Sequence, residues 1–137
     1  GNTFIIDINI YNVAYMACAG FDLQFNSNCI SYSSCEATSQ IGGASGTVLA
    51  MEMQPGLLRV TVDYTSYANT NSGYGVSGSG YLCKLTFAAT ATGTSPLNFV
   101  AGMGEPTGEL TLLRWLAYNP STIENVIWVN SSITVVN

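Results

Sequence analysis

Eight carboxylates are the first residues in this chain that could do chemistry: Asp7, Asp22, Glu36, Glu52, Asp63, Glu105, Glu109 and Glu124. Glycoside hydrolysis would need two of them facing each other across a cleft. They are scattered singly, so solvated surface positions are the plainer reading. No histidine is present, which removes the commonest general base and the commonest transition-metal ligand. Serine nucleophiles therefore have no partner base. The run Gly73-Tyr74-Gly75-Val76-Ser77-Gly78-Ser79-Gly80 superficially matches Gly-rich phosphate loops and G-x-S-x-G. No lysine follows it and no strand-turn-helix context surrounds it, so it reads as a flexible loop entering a strand. Glu105-Pro106-Thr107-Gly108-Glu109 offers oxygens to a calcium ion, but no loop alternates ligands as a calcium loop does. The sequence predicts neither an enzyme nor a cofactor.

Four cysteines, Cys18, Cys29, Cys35 and Cys83, form an even set without a C-x-x-C pair. Disulfides are the expectation, and four cysteines allow three pairings. Cys29–Cys35 would close a short loop and leave Cys18–Cys83 to link two strands, which is the preferred arrangement. Tyr64, Tyr67, Tyr74 and Tyr81 lie among Asn, Ser and Gly and could form a binding face of rigid rings. Trp115 and Trp128 could stack on sugar rings, with core packing the commoner fate. Asn130-Ser131-Ser132 is an acceptor sequon for N-linked glycan.

Charged residues make up 8% of the 137-residue chain, and the net charge is −5. The charged share is far below the roughly 25% of ordinary domains, so Ser, Thr, Asn, Gly and Tyr must supply the polar surface. That suits extracellular proteins and subunits packed against their own copies. Three basic residues, Arg59, Lys84 and Arg114, cannot neutralise a phosphate track, which excludes nucleic acid. No run approaches the roughly 18 apolar residues of a membrane span. No signal peptide is visible, and Gly1 reads as a processed or artificial N-terminus.

The elements that must hold these residues are strands. Phe4, Ile6, Ile8 and Ile10 alternate with Thr3, Ile5, Asp7, Asn9 and Tyr11, so the first set is the core face of an N-terminal strand. Phe21, Leu23 and Phe25 repeat the pattern with Asp22 and Gln24 outward. Residues 26–46 read as loop, with a short strand near Ile30. Val48–Met53 ends at the turn Gln54-Pro55-Gly56. Leu58–Tyr64 alternates again, with Arg59, Thr61 and Asp63 outward. Thr65–Gly80 is polar and without period. Tyr81–Ala89, Leu97–Val100, Leu110–Leu116, Val126–Val129 and Ile133–Val136 complete about eight or nine strands, with no amphipathic helix. The fold class is all-β, a two-sheet jelly-roll sandwich in one domain spanning 1–137.

Four stretches in order resemble a cohesin module. Gly1-Asn2-Thr3-Phe4-Ile5-Ile6-Asp7-Ile8-Asn9-Ile10-Tyr11-Asn12-Val13 is similar to the family's "G-[DE]-T-[FV]-x-V-x-[IV]-x-[IV]-x-N-V" strand. Gly20-Phe21-Asp22-Leu23-Gln24-Phe25-Asn26 resembles "G-F-D-F-x-L-x-Y-[DN]". Gly78-Ser79-Gly80-Tyr81-Leu82-Cys83-Lys84-Leu85-Thr86-Phe87-Ala88-Ala89 resembles "G-x-G-x-L-x-x-I-x-F-x-A". Val129-Asn130-Ser131-Ser132-Ile133-Thr134-Val135-Val136 is similar to the closing "V-N-G-S-V-T-V".

The resemblance implies a nine-stranded jelly roll whose one sheet face receives dockerin helices. Mapped so, Asp22, Gln24, Arg59, Thr61, Asp63, Lys84 and Thr86 form the partner face. Cohesins carry one more strand before the Gly1-Asn2-Thr3 segment, and cysteines are unusual in cellulosomal members. A sandwich open at that edge would expose a groove of backbone groups that another chain's strand could fill. The leading expectation is an extracellular subunit that self-assembles into a filament, pilus or sheath, the partner being another copy of the chain. The alternatives are a cohesin that captures a dockerin and a carbohydrate-binding module on polysaccharide.

Overall fold

The computed structural model describes residues 2–67, 75–100, 111–116, 119–122 and 127–136, the segments 111–116 and 119–122 by backbone alone. Ten strands occur among them: β1 (Thr3–Gln24), β2 (Ile30–Cys35), β3 (Thr38–Ile41), β4 (Ala44–Gln54), β5 (Leu57–Asp63), β6 (Val76–Ala89), β7 (Gly93–Val100), β8 (Thr111–Leu116), β9 (Asn119–Thr122) and β10 (Ser131–Val135). One 3-10 turn, Thr65–Tyr67, follows β5. The expected all-β jelly-roll sandwich is the architecture found.

Long β1 organises the fold because it serves both layers. Its first half pairs antiparallel with β6, from Thr3 opposite Ala88 to Ile8 opposite Cys83. Its second half pairs with β5, from Cys18 opposite Asp63 to Gln24 opposite Leu57. The ladder continues from β5 to β4, β3 and β6, and so returns to β1. A closed ring of strands flattened onto itself gives two layers with side chains between them. Phe21, Leu23, Leu58, Val60 and Val62 supply one side of the core, and Ile8, Ile30, Leu85 and Phe87 the other. Phe25 meets Phe87 edge-on at 5.1 Å, an arrangement that suits ring quadrupoles.

The sequence reading breaks this strand in two, at Tyr11 and Gly20. The chain instead bends without leaving the sheet, through bulges between Ile8 and Met16. Asn12 and Tyr15 take the left-handed conformation, with φ of 56° and 58°, which ordinary residues adopt at a cost. Two serines of β6 satisfy the backbone groups freed there. Asn12 N–H donates to Ser79 Oγ at 3.0 Å and Tyr15 N–H to Ser77 Oγ at 3.1 Å. The stretch Val76–Gly80 is therefore the opening of β6, not a loop, and its serines are bulge partners. Its glycines make room: a Cβ on Gly80 would overlap the carbonyl of Gln40.

Two further expectations change. The short strand expected near Ile30 is β2, but residues 36–46, expected as loop, also hold β3 and the start of β4. Ile127–Val129 form no strand, and Val126 lies outside the described residues.

Candidate functional site

Two surfaces on this scaffold have the composition of contact sites. The first is the outer face of β4, β5 and the second half of β1. Period two decides its membership: Val48 and Ala50 turn inward on β4, so Leu49 and Met51 turn outward, and exposed Met53 follows at the bulge between Glu52 and Gln54. Leu49 is 71% exposed and Met51 63%. Register then sets three cross-strand rows. Met51, Arg59 and Asp22 lie side by side, as do Leu49, Thr61 and Gly20. A third row joins Thr47, Asp63 and Cys18. An apolar ridge thus stands beside a polar, charged strip, the mixture found where proteins meet.

Asp22 anchors the strip. Its carboxylate is 1% exposed and receives Arg59 Nε at 2.9 Å and Nη2 at 3.0 Å. Such a two-pronged bond fixes the guanidinium as well as strengthening it. The carboxylate also pushes the Arg59 pKa up, so its charge is permanent. Asp63 accepts the Thr65 hydroxyl at 2.6 Å and the Thr65 N–H at 2.7 Å. Those bonds favour the ionised form and hold the Asp63 carboxyl below its ordinary value.

The expected partner face does not stay whole. Asp22, Gln24, Arg59, Thr61 and Asp63 lie on this layer. Lys84 and Thr86 lie on the other, opposite Asp7 and Ile5. There Lys84 Nζ sits 3.7 Å from Asp7 Oδ2 and over the Tyr81 ring at 4.6 Å. The error arises because β1 changes layer halfway, which alternation cannot reveal. The apolar ridge of β4 was missed for a related reason. Leu49, Met51 and Met53 read as ordinary strand residues until Val48 and Ala50 are known to face inward.

The second surface is an open apolar groove of about 950 Å³ between the first half of β1 and β10. Ile6, Ile8, Leu82, Phe99, Trp128 and Ile133 are among its walls. Among the described residues Thr3–Val13 pairs with β6 alone, and β10 pairs with β7 alone. The groove therefore lies between two strand edges. Phe4, Ile6, Ile8 and Ile10 do share one face, half-buried to buried, while Ile5 on the other is exposed.

Several candidates have other occupations. Trp128 is half-buried and meets Phe99 edge-to-face at 5.0 Å, so its ring is partly engaged inside the fold. Tyr67 is half-buried against Tyr64, and its hydroxyl accepts the Ser45 N–H at 3.3 Å. Tyr64 is fully buried, its hydroxyl donating to Ser39 Oγ at 2.7 Å, which passes a bond to the Tyr81 carbonyl at 2.9 Å. Tyr74 lies outside the described residues, and Trp115 sits on β8 opposite Pro120. Asn130 is exposed, with its Oδ1 taking the Phe99 N–H at 2.9 Å. Glu105, Glu109 and Glu124 lie outside the described residues. No group of three or more Cys, Asp or Glu that could hold a metal occurs among those described.

No disulfide joins the four cysteines. Cys29 directly precedes β2 and Cys35 ends it. An extended strand of that length spans about 20 Å, against the roughly 4.4–6.8 Å that bridged Cα atoms require. The preferred pairing is therefore excluded by the strand between them. The Cys35 thiol instead donates to the Glu36 carbonyl oxygen at 3.2 Å.

Comparison with known proteins agrees with this fold. The chain is similar to the seventh ScaB type I cohesin from Pseudobacteroides cellulosolvens, with 19% identity, a TM-score of 0.70, and coverage of 99% of this chain and 84% of that one. A non-cellulosomal cohesin from the archaeon Archaeoglobus fulgidus superposes with a TM-score of 0.69 at 14% identity, over 100% and 83% of the two chains. The third cohesin ScaC of Acetivibrio cellulolyticus, solved in complex with the ScaB dockerin, gives 0.70 at 12% identity, over 100% and 91%. No curated protein sequence matches significantly. The cohesin domain family matches residues 1–135. The chain belongs to the cohesin family.

Proposed function

We propose that this chain is a non-catalytic binding module that takes a dockerin-type protein on the outer face of β4, β5 and the second half of β1. The observation that carries this reading is the exposed ridge of Leu49, Met51 and Met53 beside the Arg59–Asp22 pair. Fold similarity to a cohesin solved with its dockerin supports it. A helical partner would lay apolar side chains against the ridge and hydrogen-bond to the polar strip. An extracellular or cell-surface location, as a module of a larger assembly, accords with the low charge content. The test is calorimetry against dockerin-bearing proteins of the source organism, with Leu49→Asp and Met51→Asp as controls. Binding lost in both variants while circular dichroism is unchanged is the expected result. Failure of every dockerin to bind the unmodified chain overturns the reading.

The comparisons favour this over the self-assembling filament subunit expected first. That second reading keeps one specific support, the groove between the edges of β1 and β10. A strand from another copy of the chain, laid there, would bond to both edges and bury alternate side chains on Ile8, Leu82 and Phe99. Concentration-dependent oligomers that Ile8→Glu abolishes would support it. A strict monomer at high concentration overturns it.

A further inference from the structure

We propose that Cys35 and Cys83 form a redox site, a dithiol that closes to a disulfide between β2 and β6. Register places the two together. Cys35 lies opposite Leu85, whose side chain is fully buried, so Cys35 faces the same interior. Cys83 is two residues along β6 from Leu85 and shares its face. Pairing persists one residue beyond Cys35, where Glu36 N–H donates to the Lys84 carbonyl at 3.0 Å. The strands are therefore held together beside the thiols. Cys35 and Cys83 are therefore diagonal neighbours on one face of the β2–β6 ladder. The remaining cysteines are elsewhere: Cys29 Sγ lies 3.7 Å from the Asn26 carbonyl oxygen, and Cys18 is opposite Asp63.

The two thiols are unequal in a way that orders the reaction. Cys35 is half-buried and Cys83 fully buried. The neighbouring Cys83 thiol favours the Cys35 thiolate and lowers its pKa, whereas Cys35 and burial push Cys83 up. Cys35 is thus the attacking sulfur. With a small-molecule disulfide as oxidant, the Cys35 thiolate attacks one oxidant sulfur and expels the other as a thiolate. Cys83 then gives up its proton and attacks the Cys35 sulfur of the mixed disulfide, releasing the second oxidant thiol. Two protein thiols are oxidised to one disulfide, and one oxidant disulfide is reduced to two thiols.

The bridge would pin β2, the last strand of its sheet, to the β6 strand at the centre of that layer. The segment closed between the two sulfurs contains β3, β4 and β5, so the bond constrains the unfolded chain over a long loop.

The test equilibrates the purified chain with oxidised glutathione, caps remaining thiols with iodoacetamide and digests it without reduction. The expected product is a peptide pair joined at Cys35–Cys83, lighter by two hydrogens, with Cys18 and Cys29 alkylated. The oxidised protein should melt roughly ten degrees higher than the reduced one. The double variant Cys18→Ser/Cys29→Ser should keep both the bridge and that shift, and Cys35→Ser should lose both. Alkylation of both Cys35 and Cys83 after oxidation of the folded chain overturns the proposal. So does a bridge from either of them to Cys18 or Cys29.

Discussion

Arg59 closes on Asp22 with two parallel bonds of 2.9 and 3.0 Å, and the carboxylate beneath is almost wholly withdrawn from water while the arginine is a third exposed. The pair joins β1 to β5 at directly opposed positions. Removing the guanidinium would strand a buried charge, which costs roughly 3–5 kcal/mol when both partners are buried. Exposure of Arg59 lets water compensate in part. Arg59→Met should therefore lower stability by about 2–3 kcal/mol. Asp22→Asn in the same background should recover part of the loss, because the stranded charge is gone. Urea unfolding of the two singles and the double measures the coupling. Additive effects would show that the pair contributes nothing.

Gly46 lies under the Tyr64 ring. A Cβ there would stand 2.7 Å from two ring carbons and 2.8 Å from the Asp63 carbonyl oxygen. Tyr64 has no room to give, since it is buried and tied through Ser39 to the Tyr81 carbonyl. Gly46→Ala should cost about 1–3 kcal/mol by overpacking. Gly43, in the neighbouring turn, has nothing within 4 Å of such a Cβ but a φ of 82°. Gly43→Ala should cost about 1 kcal/mol through backbone strain alone. Thermal unfolding ranks the two; the opposite order would overturn the packing argument.

The bulged bend of β1 depends on serines that the sequence places in an apparent loop. Ser79 Oγ takes the Asn12 N–H and Ser77 Oγ the Tyr15 N–H. Each exposed bond contributes about 0.5–1.5 kcal/mol, so Ser77→Ala/Ser79→Ala should lose about 2 kcal/mol. Asn12→Gly should offset part of that, since its φ of 56° suits glycine better. Hydrogen exchange at Asn12 and Tyr15 should accelerate in the serine variants. Unchanged protection at both amides would mean the bend is held by other contacts.

Strand alternation was legible wherever one face is apolar and the other polar, as in Leu58–Tyr64, whose Leu58, Val60, Val62 and Tyr64 are all buried. It failed where the pattern was not the cause of the structure. Thr38–Ile41 is a strand built largely from Ser, Thr and Gln; it pairs because β4 and β6 offer edges. Cys35 and Cys83 are 48 positions apart in number, and only the β2–β6 register joins them. Lys84 and Thr86 were assigned to the wrong layer because a strand that crosses between layers alternates like any other. The partner face was therefore half visible: its polar strip could be read from β5, but its apolar ridge needed the inward set of Val48 and Ala50.

Asp63 borders that face, and its chemistry predicts the acid behaviour. Its Oδ1 accepts both the hydroxyl and the N–H of Thr65, which lowers the folded-state pKa below the ordinary 3.8, the hydroxyl having the larger effect. A carboxyl with a depressed folded pKa stabilises the protein fully above its unfolded value. That contribution is lost as pH falls from about 3.8 through the lower folded value. Thr65→Val removes the hydroxyl bond and should move the Asp63 titration upward toward the ordinary value, as followed by carboxyl NMR. Asp63→Asn should remove this share of the acid sensitivity, flattening the stability profile below about pH 4 while leaving its shape above that unchanged. Were Thr65→Val to leave the Asp63 midpoint in place, the Thr65 hydroxyl would not be what holds the carboxylate ionised.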